Sequence, residues 1–285
     1  MSSDTRISKE VEALIGSSWW EIIQYLYLMA KYQTSCVFLP ITFNPMTEQE
    51  YSAFTEKGYG GLVSLTWVCG GDSRDCFLYT PSVLKSRVGY TNYLRECITN
   101  SERLAIIPLE LHVKGRGAHM NTLVFDKKTG EMERFDPNGQ TTSDQFHPRL
   151  LDTQLQKFFT IVLKPILDQY NHPEIKFFSP PDFCPKIGVQ MVEAATRQVM
   201  GVPITKGFCS VWSFVYANFR LKYPERDRKV IAEFLKGDSR GNLYRYVENI
   251  ILMLMEISEK LRTAKTEEEI KEALLTSTKK FGGKF

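Results

Sequence analysis

Apolar residues recur every three or four positions along much of the chain, and that spacing is typical of amphipathic helices. The pattern predicts helices over residues 6–32, 48–57, 91–99, 148–170, 209–222, 226–236, 240–262 and 266–277. The short basic tail from Thr278 to Phe285 contains glycine, and we expect it to fray. Helices are therefore predicted to dominate both ends of the chain.

The middle of the chain shows shorter apolar runs, which are typical of β-strands. Such runs occupy residues 62–69, 104–113, 120–125, 131–135 and 175–178. Lys127 to Gly130 supplies a turn between the runs at 120–125 and 131–135, so these two runs predict a β-hairpin.

The two patterns together predict an α+β fold. We expect a small central sheet, mixed or antiparallel, that is packed by helices and has extra helices at both chain ends. The predicted organisation is an N-terminal helical or mixed extension packed on the core over residues 1–100, the core itself over residues 101–225, and a C-terminal helical extension over residues 226–285. A chain of 285 residues can bury a core of this size.

Composition and charge argue against several classes of protein. The apolar fraction of 43% and the charged fraction of 24% are ordinary for a globular protein, and a net charge of +3 gives no strong nucleic-acid signal. The most apolar early stretch, Trp19 to Ala30, is too short to span a bilayer. Because the first ten residues are polar and charged, we expect no signal peptide and no secretion.

The cysteines give no metal-binding pattern. The chain has six of them, at positions 36, 69, 76, 97, 184 and 209, and none has C-x-x-C spacing. Without a secretory signal we expect free thiols in a reducing compartment rather than a disulfide framework. We predict neither a metal nor another cofactor.

The predicted hairpin brings a histidine close to a carboxylate. His119 lies at the start of one strand, and Asp136 follows the other strand in the segment Asp136-Pro137-Asn138-Gly139. Because antiparallel neighbours lie side by side, these two side chains are expected to be in contact. In such a pair the carboxylate fixes the tautomer of the imidazole and stabilises its cationic form.

Cys209 opens a predicted helix after Gly207, which permits a tight turn. A thiol attacks a carbonyl as the thiolate, and the N-terminus of a helix stabilises that negative charge. A neighbouring imidazole would take the proton of the thiol and later give it to a leaving amine. His119, Asp136 and Cys209 together therefore predict a catalytic triad.

Each of these three residues has a structural explanation when taken alone. A cysteine on a helix is most often packed in the core, a lone histidine is most often structural, and Asp-Pro-x-Gly is a common turn sequence. The joint arrangement and its order along the chain favour the catalytic interpretation. Papain-like enzymes and transglutaminases place the cysteine first, and chymotrypsin-like cysteine proteases place it in a β-barrel loop rather than before a helix.

The segment from His119 to Gly139 resembles the corresponding part of adenovirus-type cysteine proteases, including the acidic-Pro-x-Gly turn. More loosely, it resembles the SUMO and ubiquitin-like-protein proteases of the same superfamily. The segment Gly207 to Pro224 is similar to predicted proteases of large double-stranded DNA viruses. The resemblance covers about residues 100–225, and it implies the triad named above.

The resemblance also implies a glutamine that forms an oxyanion hole with the backbone N–H of the cysteine. The family places this glutamine about half a dozen residues before the cysteine, but here the candidates are Gln190 and, second, Gln198. Gln190 requires an insertion over about 191–206. This chain also has Met120 where the family often has an aromatic residue, and Ser210 where it often has glycine.

The triad predicts a thiol endopeptidase, and the resemblance implies that it processes viral structural precursors after small residues of the Gly-Gly type. Its expected partners are a protein substrate and a capsid or virion, and its expected location is the virion or the host cytoplasm. One alternative is an isopeptidase that acts on ubiquitin or SUMO-type conjugates. Another is a virion scaffold protein without activity. An acetyltransferase is disfavoured because the sequence has no coenzyme-binding or inositol-phosphate-binding signature.

Overall fold

A computed structural model describes residues 18–39, 64–70, 75–80, 89–113, 117–192, 208–237 and 242–282. Within these ranges seven strands form one mixed sheet. They are β1 Cys36–Val37, β2 Leu65–Cys69, β3 Cys76–Tyr79, β4 Leu104–Val113, β5 Gly117–Asp126, β6 Glu131–Phe135 and β7 Lys176–Phe178. The strand order is β3-β2-β4-β5-β6-β7, and β1 pairs with β4.

The centre of the sheet is antiparallel and its flanks are mixed. β4 pairs with β5, and β5 with β6, in antiparallel register, whereas β1 and β2 pair with β4, and β7 with β6, in parallel. The predicted hairpin is therefore confirmed as β5–β6, at the middle of the sheet. Three strands come from the first hundred residues, so the sheet extends well beyond the hairpin region.

Helices cover both faces of the sheet. They are α1 Ser18–Lys31, α2 Tyr90–Asn100, α3 Pro148–Val162, α4 Lys164–Gln169, α5 Pro180–Phe183, α6 Phe208–Lys222, α7 Arg228–Gly237, α8 Asn242–Thr263 and α9 Glu267–Gly282. One buried cluster joins α1, α6 and the C-terminal helices to the sheet through Ile106 and Val124. The other joins α2 and α3 to the opposite face through Ile107 and Leu123. This architecture confirms the predicted α+β fold with helices at both ends.

Alternation along the strands explains why two separate cores form. Successive strand residues point to opposite faces, so neighbouring residues such as Ile106 and Ile107 enter different clusters. Both faces of β4 are apolar over most of its length, as expected for a strand that is covered on both sides. Burying each large apolar side chain contributes roughly 1.5–3 kcal/mol to stability.

Two predicted helical boundaries were wrong. The helix predicted over residues 148–170 is broken at Leu163, because Pro165 lies in the first turn of α4 and has no N–H to continue the α3 ladder. The tail predicted to fray from Thr278 instead continues α9 to Gly282. Lysines are good helix formers, and cations near a helix C-terminus offset its dipole. The helix predicted over 48–57 lies outside the described residues.

The expectation of free thiols was wrong for four of the six cysteines. Cys36 is bonded to Cys97, and Cys69 to Cys76, whereas Cys184 and Cys209 are free. Cys69 and Cys76 occupy directly paired positions of the antiparallel β2–β3 ladder, which brings the two Cα atoms to 4.2 Å. Such pairing depends on strand register, and cysteine spacing alone does not reveal it.

No helix in the described ranges has the length and apolar character needed to cross a bilayer.

Candidate active site

His119 and Asp136 meet at one end of the hairpin. The β5–β6 register pairs Thr122 with Phe135, so Asp136 lies at the next position along, on the same face of the sheet as His119. Nε2 of His119 is 2.8 Å from Oδ1 of Asp136, and both residues are buried. The ring of Phe146 stacks on the imidazole of His119, with 6.2 Å between the two ring centroids. The structure thus brings together the first two predicted site residues.

Cys209 is the second residue of α6, a helix that is buried along nearly its whole length. The hydroxyl of Ser213 donates to the backbone oxygen of Met120, and the hydroxyl of Thr122 donates to the backbone oxygen of Ser213. These two buried bonds fix α6 against β5. They bring the Cys209 thiol to the start of β5, close enough to His119 for the two groups to shift the pKa of each other.

The contacts between Cys209 and His119 favour the charged form of both groups. Burial alone opposes charge on the imidazole, but the charge and hydrogen bond of Asp136, together with Cys209, raise the pKa of His119 to about 10. Burial also disfavours the thiolate, yet His119 and nearby backbone amides lower the pKa of Cys209 below that of an ordinary thiol. At neutral pH these shifts favour a thiolate–imidazolium pair.

Asp136 is held as a carboxylate. Burial by itself raises its pKa, but the charge and hydrogen bond of His119, followed by Arg134 and Thr142, bring the pKa below the ordinary value. The hydroxyl of Thr142 donates to Oδ2 at 2.7 Å, and the backbone N–H of Asn138 donates to Oδ1 at 2.9 Å. Each carboxylate oxygen therefore has a donor of its own, so the orientation of the carboxylate toward His119 is fixed.

A buried arginine lies behind the carboxylate. Arg134 forms a two-point ion pair with Asp152 on α3, with distances of 2.6 Å from Nε and 3.1 Å from Nη2. Its Nη1 donates to Oδ1 of Asn121 at 2.7 Å and to Oγ1 of Thr142 at 3.2 Å. The same Nη1 is 3.8 Å from Oδ2 of Asp136. The guanidinium thus contributes positive charge to the site without a direct hydrogen bond to Asp136.

The segment before α6 packs backbone to backbone on the Asp136 turn. The N–H of Gly188 donates to the oxygen of Asn138, and the N–H of Gln190 donates to the oxygen of Pro137. A Cβ atom at Gly188 would lie 2.2 Å from Asn138 backbone, so only glycine permits this approach. Gly139 in the turn has φ +97°, a conformation that also favours glycine.

This packing locates one of the two predicted oxyanion-hole residues. Gln190 is half-buried, and its Oε1 is enclosed without a hydrogen-bond partner among the described residues. Its backbone bond to Pro137 holds the residue against the turn that carries the acidic member of the triad. Gln198 and Gly207 lie outside the described residues.

Two further carboxyl groups, those of Glu21 and Glu110, lie close to the site. Glu110 on β4 pairs with Met120 on β5, and Ser64 donates a hydrogen bond to it at 3.4 Å. Burial raises the pKa of Glu21 on α1, and the charges of Glu110 and Cys209 raise it further. Burial also raises the pKa of Glu110. Sequence reasoning did not single out these carboxylates, because they come from elements far apart in the chain.

The remaining histidines and the second free cysteine do not join the triad. His147 has a left-handed backbone conformation and precedes α3, while His172 contacts the backbone oxygen of Lys128. Burial raises the pKa of Cys184, which keeps this thiol protonated. Among the described residues, no group of three or more His, Cys, Asp or Glu side chains is arranged to hold a metal ion.

No protein family model matches the chain. A protein of Acanthamoeba polyphaga mimivirus, described as an ankyrin repeat protein, is 31% identical over 170 residues; the match covers 58% of this chain and 21% of that protein. The chain therefore spans about a fifth of the length of this relative.

Two solved structures of bacterial effectors show a distant likeness. The Chlamydia trachomatis effector protein ChlaDUB1 has a TM-score of 0.39 and 12% identity, over 87% of this chain and 90% of that chain. The Chlamydia abortus effector protein ChlaDUB has a TM-score of 0.42 and 14% identity, over 93% of this chain and 97% of that chain. Likenesses at this level assign neither an activity nor a substrate.

Proposed function

We propose that this protein is a cysteine protease in which Cys209 is the nucleophile, His119 is the acid and base, and Asp136 orients His119. The observation that carries the proposal is the buried series Asp136, His119 and Cys209, in which Asp136 is hydrogen-bonded to His119 at 2.8 Å and His119 and Cys209 each shift the pKa of the other toward the charged form. A buried thiol that only filled core space would need no such series. The burial of all three groups strengthens each electrostatic contact between them.

The geometry supports acyl transfer through a thioester. The Cys209 thiolate attacks the carbonyl carbon of the scissile amide, and the imidazolium of His119 gives its proton to the departing amine. Nε2 of His119 faces Asp136, so Nδ1 is the nitrogen available to the thiol and to the leaving group. Water then attacks the thioester with His119 as its base, which releases the carboxylic acid and restores the thiol.

We further propose that Gln190 completes the oxyanion hole together with the backbone N–H of Cys209. The side chain is half-buried, and its backbone N–H is bonded to the Asp136 turn, so the residue is held next to the acidic member of the triad. Fixed donors of this kind stabilise the negative oxygen of the tetrahedral intermediate, and each contributes about 10²- to 10³-fold to the rate.

The proposed substrates are polypeptides with small residues such as Gly-Gly before the cut. A precursor of a viral particle and a ubiquitin-like conjugate both fit this description, and the chemistry at Cys209 is the same for each. The viral and virion-associated roles stay predictions. The competing proposal is a scaffold role without catalysis. A labelling experiment distinguishes the two, because only the protease requires an activated Cys209.

The test is labelling with a peptide that ends in Gly-Gly and carries a vinyl electrophile. We expect one adduct per chain, located at Cys209 by mass spectrometry, and its loss in the Cys209→Ala variant. The His119→Ala variant should slow labelling at pH 7 by at least about 10²-fold, because the thiol loses its base. Cys184→Ala is the matched control, since the other free thiol is buried and protonated.

A comparison of peptide hydrolysis with Cys209 alkylation tests the role of Gln190 independently of the triad. Gln190→Ala should reduce hydrolysis of a Gly-Gly peptide while leaving simple alkylation of Cys209 unchanged, since alkylation forms no oxyanion. Wild-type labelling spread evenly over Cys184 and Cys209, or independent of His119, would support the scaffold alternative. A ubiquitin-based probe then distinguishes the isopeptidase from a peptidase with another substrate.

A further inference from the structure

A guanidinium lies close to the candidate catalytic carboxylate without bonding to it. Nη1 of Arg134 is 3.8 Å from Oδ2 of Asp136, and both side chains are almost completely buried. Opposite charges at this separation in a dry interior attract strongly. The two atoms nevertheless lie beyond hydrogen-bond distance, and a direct hydrogen-bonded pair would engage the carboxylate that His119 contacts.

Thr142 occupies the space between the two charges. Its hydroxyl accepts a hydrogen bond from Nη1 of Arg134 at 3.2 Å and donates one to Oδ2 of Asp136 at 2.7 Å. One buried hydroxyl group thus forms a hydrogen bond with each of the two charged groups. The donated bond also turns Oδ2 away from the imidazole, which leaves Oδ1 for His119.

Asp152 holds the guanidinium back from the other side. It binds Arg134 at two points, with 2.6 Å to Nε and 3.1 Å to Nη2. Asn121 accepts a third bond, from Nη1 at 2.7 Å. A two-point pair fixes the plane of a guanidinium as well as its position. Arg134 therefore cannot swing toward Asp136 while Asp152 is charged.

We propose that Thr142 and Asp152 are positioning residues that hold Arg134 apart from Asp136, so that the carboxylate stays available to His119. Removal of either restraint should let Arg134 close on Asp136 and form a direct ion pair. His119 then loses its partner, and the Cys209 thiol becomes a weaker acid. The inference rests on the proposed role of Cys209 as an activated nucleophile.

The test is the pH dependence of Cys209 alkylation by iodoacetamide, followed by intact-mass spectrometry between pH 5 and 10. Thr142→Val removes the hydroxyl at nearly constant shape, and Asp152→Asn removes the anchoring charge. In both variants we expect the rise in rate to move to higher pH, with a rate about tenfold lower at pH 6 and no difference near pH 10. Thr142→Ser keeps the hydroxyl and should follow the wild type.

A purely structural role for Thr142 gives a different result. It would lower the melting temperature and leave the pH profile of the folded protein unchanged, and that outcome overturns the proposal. A matching shift in Thr142→Ser would also overturn it, because packing of the methyl group would then be the cause. If Thr142→Val does not fold, Asp152→Asn at the partly exposed end of the network decides the question alone.

The wild-type curve separates this proposal from the proposed function. An ordinary thiol profile in the wild type would mean that Cys209 is not activated, so the protease proposal itself would fail. A wild-type profile shifted to low pH, together with unshifted Thr142→Val and Asp152→Asn profiles, would leave the protease proposal intact and remove only the role of the two positioning residues.

Discussion

Two buried carboxylates at the β6 side of the sheet are bound by very different partners. Glu133, within β6, contacts Nε of Arg220 at 2.6 Å, Nε of Arg228 at 2.8 Å and the hydroxyl of Tyr216 at 2.7 Å. Asp136, just after β6, has His119 as its principal partner at 2.8 Å. Both carboxylates are almost fully buried, so burial alone does not distinguish them.

The difference lies in whether the partner exchanges a proton. Arginine stays charged at every physiological pH, so the Glu133 cluster is a fixed electrostatic joint between β6, α6 and α7. Histidine exchanges a proton readily, and His119 also touches a thiol. A buried carboxylate is therefore evidence for chemistry only when its partner is titratable and next to a reactive group. The three variants below test that distinction.

The largest effect is expected for Asp136→Asn. The amide keeps the shape of the side chain but removes the charge that favours the imidazolium and its correct tautomer. Hydrolysis of a Gly-Gly peptide should fall by about 10²- to 10⁴-fold. The measurement is kcat/KM at pH 7 beside the melting temperature, with Asp126→Asn at the opposite end of β5 as the control. A similar fall in the control would show that any lost carboxylate disturbs the site.

Glu133→Gln should lower the free energy of unfolding and leave the reactivity of Cys209 unchanged. The change leaves the buried guanidinium group of Arg220 without its counter-charge, while Arg228 keeps its ion pair with Glu131, and we expect a cost of about 3–5 kcal/mol. Urea unfolding measures this loss, and alkylation of Cys209 per folded molecule should stay at the wild-type rate. Glu131→Gln on the same strand is the matched control, since its half-buried ion pairs contribute about 0–1 kcal/mol.

A reversed result would contradict the comparison. If Glu133→Gln slowed alkylation of the folded protein while stability was retained, the arginine cluster would belong to the reactive site. If Asp136→Asn unfolded the protein without a specific effect on rate, the His119–Asp136 pair would be a structural joint like the one at Glu133.

The contact between His119 and Asp136 could be predicted from the sequence, but the contacts that distant elements make with the site could not. His119 and Asp136 belong to one hairpin, and hairpin register depends on neighbouring residues, so their contact follows from the pattern. Two partners of Arg134 are local, since Asn121 lies on β5 of the same hairpin and Thr142 follows shortly after β6, but Asp152 comes from α3. The alternation of residues along β6 predicts that its side chains point to both faces of the sheet, but it does not show that both faces are buried.

The same reasoning applies to the fold. The central strands β4 to β6 were predicted because their apolar runs are long and separated by clear turns. The runs at 62–69 and 175–178 also form strands, β2 and β7, whereas the short strands β1 and β3 were not predicted. No local signal reveals that β2 joins β4 in parallel, with Leu65 paired to Leu109. The disulfide between Cys36 and Cys97 depends on this tertiary arrangement as well, since 61 positions separate the two cysteines.

The smallest expected effect concerns Glu21 and has the opposite sign to Asp136→Asn. Glu21 lies close enough to the thiol for the charge of Cys209 to raise its pKa, in addition to burial and the charge of Glu110, but it does not contact His119. Because these effects favour the protonated carboxyl group, Glu21→Gln should favour the thiolate only over the pH range in which Glu21 is ionised. Alkylation of Cys209 should therefore change little near neutral pH and accelerate at higher pH, by at most about fivefold for an interaction of up to about 1 kcal/mol.

The direction of the rate change in Glu21→Gln is more informative than its size, because Asp136→Asn is expected to change the rate in the opposite direction. Asp136 and Glu21 are both carboxylates close to the reactive pair, yet one acts through His119 and the other acts on the thiol directly. Glu96→Gln, at an exposed position on α2, controls for the loss of one negative charge in the whole protein. Slower alkylation in Glu21→Gln would mean that Glu21 supports the imidazolium as Asp136 does, and the acidic part of the site would then include two carboxylates.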